Sequence, residues 1–168
     1  YFCFLNSFSE IRKEGWLGLL SRAISRDGVG LVGSTGSYQS FCPASMASYL
    51  AQTRFVQYSD PAKRILMSLP FAHPLNYLRK RFQFASDFRP FPNYHIRTNA
   101  FLLAREDMLR YSFMRIGKKL DAWKFESGMQ GLTMKVLESG RKALVVAASG
   151  DEFEKEDWHL SNTFWQAN

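Results

Sequence analysis

Cysteine is scarce in this chain. Only Cys3 and Cys42 occur, too few for a disulfide framework. Histidine is nearly as rare, at three residues, and no Cys/His spacing of the zinc-site type is present. A stapled secreted scaffold and a zinc finger are therefore excluded, and a reducing, cytoplasmic setting is the default expectation. Cys3 lies in an apolar run and is expected to be a buried thiol. No apolar run approaches the roughly 18 residues that a membrane-spanning helix needs. The apolar opening, Tyr1 to Leu5, has neither the basic region nor the cleavage site of a signal peptide. Acidic residues are outnumbered, 15 against 22 basic, for a net charge of +7. That balance suits a phosphorylated ligand or an anionic membrane face. Without an RNA-binding aromatic signature or a zinc finger, nucleic acid is not an expected partner.

What is present fits one soluble-type domain. The 168 residues are 46% hydrophobic and 22% charged, enough for a sizeable core. Aromatics reach 15%, with 15 Phe. They supply either a Phe-rich core or flat rings on which sugar C–H faces pack. The basic residues are scattered apart from Arg79-Lys80-Arg81.

Strand and helix patterns alternate. Tyr1 to Leu5 reads as a strand covered on both faces. Glu14 to Arg26 reads as a helix, with Trp16, Leu19, Leu20, Ala23 and Ile24 on one stripe. Asp27-Gly28 ends it, and Val29 to Val32 is a second strand. Gly33 to Ser37 reads as a flexible turn. A helical insert is expected over about 38–87, with Asp60 as N-cap and Pro61 at the first helical position. Pro70 and Pro74 split its second half into two short helices. Phe88 to His95 is an extended loop. Thr98 to Ala104 is a strand, Arg105 to Phe113 a helix, Phe125 to Ser139 a long helix closed by Gly140, and Lys142 to Ala147 a strand. The polar, aromatic tail has little period. This alternation predicts a layered α/β domain.

Several polar clusters are candidates for chemistry. Asn6-Ser7-Phe8, with Glu10, follows the first apolar run. His95, Arg97, Thr98 and Asn99 stand at a strand entrance, where Arg97 can clamp two phosphate oxygens. Glu126 is a carboxylate at the expected start of the long helix, and Asp121 is a second one just upstream. Each has a structural alternative: a strand-end turn, a solvated loop, a helix cap.

The ordered set FLNSFSEI, GWL, the PFPNYHIRTNAFLL strand, FESGMQGLT and KALVVA resembles a GT-A-type nucleotide-sugar glycosyltransferase of the family-2 kind. The resemblance covers about two-thirds of the chain. It implies a GT-A-like layered α/β domain, residues 1–168, with a mixed, mostly parallel sheet flanked by helices. It also implies that the chain opens inside that domain, as a fragment lacking the N-terminal nucleotide-binding half. The activity implied is sugar transfer from a nucleotide diphosphate donor to a glycan or lipid-linked glycan, with inversion. Glu126 would be the general base. His95, Arg97, Asn99 and Asp121 would bind substrate. Asn6 and Glu10 would stand at the donor's Mn²⁺ or Mg²⁺ site, where the family has an Asp-x-Asp motif; here Asn6 replaces its first Asp and Phe8 its last. A late His joins that metal shell in some members, and His159 is the one available. Two further readings stay open. One is a non-catalytic glycosyltransferase-like domain that binds a glycan or partner. The other is an anionic-surface module, membrane-peripheral through the basic helix at Arg79 to Arg81.

Overall fold

The computed structural model describes residues 1–7, 9–53, 61–111 and 116–163. Among these residues seven strands and seven helices follow in chain order. They are β1 (Phe2–Leu5), α1 (Trp16–Ile24), β2 (Val29–Gly33), β3 (Gly36–Ser37), α2 (Met46–Thr53), α3 (Pro61–Ser68), α4 (Ala72–Phe84), β4 (His95–Ile96), β5 (Ala100–Leu103), α5 (Arg105–Arg110), α6 (Lys119–Ser127), α7 (Leu132–Glu138), β6 (Lys142–Val146) and β7 (Glu152–Phe153). A 3-10 helix, Lys155–Leu160, follows β7.

Five strands form one mixed sheet in the order β1-β5-β2-β6-β7. Only the β2–β6 pair is parallel; β1–β5, β5–β2 and β6–β7 are antiparallel. The expectation of a mostly parallel sheet is thus corrected to a mostly antiparallel one. The reason is β5. It enters between β1 and β2 against both, and strand direction leaves no mark in the local sequence. Both neighbours of β5 point the same way, and β6 follows β2. The carboxyl ends of β1, β2 and β6 therefore meet at one edge, where β5 begins.

Alternation along the strands fills both faces. Val32, Leu102, Leu144 and Val146 pack under Leu20, Ala23 and Ile24 of α1. Leu31, Phe101, Leu103 and Val145 face Leu132 and Val136 of α7 together with Trp158. Each fully buried aliphatic contributes roughly 1.5–3 kcal/mol. Helix α1 ends at Ile24 with Ser25 as its C-cap, a little before the expected Asp27-Gly28, and Gly28 takes a positive φ of 75° in the turn into β2. Trp158 is fully buried, although nothing periodic in the tail marks it.

Four expectations change. Strand β1 is an edge strand, and its residues are exposed except for the half-buried Phe4, which stacks on Phe101 at 4.7 Å. Cys3 is correspondingly exposed rather than buried. The turn expected over Gly33 to Ser37 is buried at Gly33, Gly36 and Ser37 and ordered by pairing, with Gly36 opposite Ile96 and Ser37 opposite His95. Finally, the long helix over 125–139 is two helices. A Cβ on Gly128 would lie 2.5 Å from the Lys124 carbonyl oxygen. The chain doubles back there, with Gly131 N–H donating to Gly128 O at 2.9 Å and Met129 N–H to Asp87 O at 2.8 Å. Glu126 consequently sits in the last turn of α6, not at a helix start.

The helical insert is present as α2, α3 and α4. Pro70 separates α3 from α4, while Pro74 falls in the first turn of α4, where its missing N–H has no helical partner to lose. Asp60, the expected N-cap of α3, lies outside the described residues.

Candidate functional site

The segment His95 to Asn99 leads into β5 at the sheet edge where the three carboxyl ends meet. Its backbone is tied at successive positions. Ile96 N–H donates to Thr133 Oγ1 at 2.9 Å. Arg97 N–H donates to Thr35 O at 2.9 Å, and Asn99 O accepts from Asn6 N–H at 3.1 Å. Thr98 donates to Glu126 Oε2 twice, through its N–H at 2.7 Å and through its hydroxyl. A segment held this way presents its side chains from a fixed frame.

His95, Arg97 and Glu126 converge on one point, although they come from different elements. Glu126 Oε1 lies 3.8 Å from His95 Nε2 and 3.7 Å from Arg97 Nε. The other imidazole nitrogen, Nδ1, is 2.8 Å from the Asn93 carbonyl oxygen. A carbonyl only accepts, so Nδ1 carries the hydrogen. Burial lowers the His95 pKa; the Asn93 hydrogen bond and the Glu126 charge oppose this, and the Arg97 charge reinforces it. In the neutral ring Nε2 is therefore a lone pair facing a carboxylate oxygen. At 3.8 Å the two do not bond. A hydroxyl placed beside them has two acceptors for its proton, with the Arg97 cation next to it.

Asn93 organises this arrangement. It is buried, and its Nδ2 donates to Ser127 O at 2.6 Å. One residue thus fixes the His95 tautomer and anchors the end of α6 that carries Glu126. Sequence reasoning missed Asn93, for it reads only as a turn residue after Pro92.

The three groups line a cleft of about 270 Å³ with Phe41, Tyr49, Trp123 and Lys80. Trp123 is stacked on Phe41 at 4.5 Å. Three of these four come from the helical insert or its entry. Of these, Lys80 stood out in the sequence as part of the basic Arg79-Lys80-Arg81 cluster, while nothing local marked Phe41, Tyr49 or Trp123.

Across the 95–99 segment lies a larger cleft of about 540 Å³, lined by Asn6, Glu10, Arg12, Lys13, Thr35 and Asn99 among others. Asn99 Nδ2 donates to Thr35 Oγ1 at 3.1 Å, while its buried Oδ1 has no hydrogen-bond partner among the described residues. The first turn of α1 borders this cleft. Its N-cap is Gly15, and no side chain caps it or places an acid there, so its N–H groups favour an anion.

The residues expected at a metal, Asn6 and Glu10, each have a protein partner. Asn6 Oδ1 accepts from Ser9 Oγ at 2.8 Å. Glu10 is exposed and its Oε2 pairs with Arg12 at 2.9 Å. Among the described residues no group of three His, Cys, Asp or Glu side chains converges. Phe8 lies outside the described residues, and His159 is exposed on the 3-10 helix. Asp121 is also not brought to either cleft. It accepts from Gly117 N–H at 3.1 Å and Lys118 N–H at 2.9 Å, which holds its carboxyl below the usual range and makes it the acceptor at the start of α6.

The His95 environment has a pH consequence. Its pKa in the fold lies below the ordinary 6.5, so the unfolded chain takes up a proton first as pH falls. Stability from this group is present above that value and is lost below it. Urea midpoints are expected to fall from about pH 7 to pH 5, with a shallower fall in His95→Gln. An unchanged slope in the variant would show that other groups carry the dependence.

In comparisons with family models, curated proteins and solved structures, nothing matches this chain. No helix among the described residues is long and apolar enough to cross a membrane.

Proposed function

We propose that this chain transfers a sugar from a nucleotide diphosphate donor to a hydroxyl of a glycan or lipid-linked glycan, with inversion. One observation carries the reading. Two proton acceptors, Glu126 Oε1 and His95 Nε2, stand 3.8 Å apart in an aromatic-lined cleft, one segment away from a cleft bordered by Arg12, Lys13 and a bare helix start. The acceptor hydroxyl enters the smaller cleft and gives its proton to Glu126. Its oxygen attacks the anomeric carbon from the face opposite the diphosphate. The bond to the phosphate oxygen breaks, and the electron pair leaves with the diphosphate, whose charge meets the cations and helix start of the larger cleft. Arg97 stabilises the Glu126 carboxylate before the transfer. No step is assigned to a metal, since Asn6 and Glu10 are turned to Ser9 and Arg12.

Calorimetric titration with UDP-, GDP- and dTDP-sugars, with and without Mn²⁺, tests the donor half on the chain in its full-length context. Saturable binding of one nucleotide class is expected. Absence of binding by a folded protein would remove the donor assignment.

A second reading rests on the two Thr98 hydrogen bonds to Glu126. They suit a carboxylate that fixes the cleft wall, as in a glycosyltransferase-like domain that binds a glycan without turnover. Glycan binding with no donor affinity would favour it.

A further inference from the structure

Helix α4 carries apolar residues on its outward side as well as on its packed one. Its inward side packs Tyr77 against Tyr49 and Phe84 against Phe41 and Phe88, with small and polar residues between them. Ala72 is buried, Asn76 Nδ2 donates to Tyr49 OH at 2.7 Å, and Lys80 Nζ lies 5.6 Å from the Tyr49 ring. Its outward side is apolar. Phe71, the N-cap, then Leu75, Leu78 and Phe82 recur at four, three and four and make one stripe. Their exposures are 57%, 61%, 47% and 81%. Ile65 of α3 and Leu69 in the following turn extend it, at 69% and 37% exposed. Single exposed apolar residues are ordinary. Six on one hairpin make an exposed apolar surface of the kind that marks an interaction site.

Charge identifies what the surface meets. Residues 61–86 hold five basic residues and no acidic one. On a helical projection Arg79 lies about 70° to one side of the apolar stripe and Arg81 about 90° to the other. Arg79 is exposed, with Nη2 on Asn76 Oδ1 at 2.9 Å. Arg81 is exposed as well, with Nη1 donating to Pro43 O at 3.0 Å and Ala44 O at 2.8 Å. Apolar rings below and guanidinium groups along the rim are the arrangement of a helix lying in a bilayer interface. There the rings enter the acyl boundary and the cations meet anionic headgroups.

We propose that the α3–α4 hairpin docks this chain on an anionic membrane surface. The inference is independent of Glu126 and of the transfer chemistry. It is tested by sedimentation of the whole chain with phosphatidylcholine vesicles, with and without phosphatidylserine. Binding to the anionic vesicles is expected to be about tenfold or more tighter than to neutral ones and to weaken with added salt. Leu78→Ser with Phe82→Ser is expected to lower that binding by at least about tenfold. Both side chains are solvent-exposed, so thermal unfolding should be unchanged. Arg79→Gln, which leaves the stripe intact, should lower only the anionic preference. Equal affinity for both vesicle types, or no effect of the double substitution, would overturn the proposal. Self-association that disappears in the double variant, without vesicle binding, would overturn it in favour of a second copy of the chain.

Discussion

Glu126→Gln is expected to lower glycosyl transfer by roughly 10²–10⁴-fold while leaving the fold in place. The amide oxygen can still accept from Thr98 N–H and from the Thr98 hydroxyl, the two bonds that hold Glu126 Oε2. What is lost is the charge beside Arg97 and a carboxylate oxygen able to take a proton, next to a His95 lone pair that burial keeps neutral. The loss belongs in kcat, with KM little changed, since the group acts on a proton rather than on the bulk of the acceptor. Asp121→Asn is the internal control. That carboxylate caps α6 and lines neither cleft, so transfer should continue near the parent rate. Transfer by the Glu126 variant within a few-fold of the parent would remove the base assignment. If Asp121→Asn lowered transfer as far, the effect would lie in α6 as a whole rather than in Glu126.

Those two carboxylates show where sequence reading works and where it stops. His95, Arg97 and Asn99 were found as polar residues crowded at a strand entrance and Glu126 as a carboxylate at an expected helix start, and folding brings His95, Arg97 and Glu126 to one cleft wall. The place of Glu126 in its helix was misread. The apolar period carries through Gly128 and Gly131, and only two glycines three apart hint that the helix ends. Asp121 is indistinguishable from Glu126 in composition. The difference is which way the last turn of α6 points, and that depends on Asn93, distant in sequence. Alternation of apolar runs placed β2, β5 and β6, because each is buried on both faces and reads as a continuous Val, Leu and Ala segment. The same continuity in β1 was misleading. A strand reads as buried from its own side chains, but β1 has a neighbour on one edge only. Strand direction was equally invisible, since the antiparallel entry of β5 is set by how the insert returns to the sheet edge. The insert itself was found from its prolines and its basic Arg79-Lys80-Arg81 cluster, yet the contribution of Phe41 and Tyr49 to the cleft was not.

The second large effect is on stability, at a pair that no sequence signal revealed. Asp107 is 1% exposed in the first turn of α5. Arg141, at the turn into β6, donates through Nη1 to Asp107 Oδ2 and through Nη2 to Val29 O at 2.5 Å. The guanidinium thereby ties α5 to the start of both strands of the parallel β2–β6 pair. Asp107 Oδ1 has no hydrogen-bond partner among the described residues, so the ion pair is the main compensation for burying this charge. The start of α5 adds a smaller favourable field. Arg141→Met keeps much of the packing stem and removes the cation. It is expected to cost about 3–5 kcal/mol, read as a lower urea midpoint at constant slope, because a buried carboxylate is left unpaired. Replacing both partners, Asp107→Leu with Arg141→Met, should recover most of that loss, since two desolvated charges are then exchanged for apolar contact. The cycle separates two roles for Arg141. If the pair matters through charge, the double variant is far more stable than the single one. If Arg141 matters through Val29 and its stem, the losses add and the double variant is the least stable of the set.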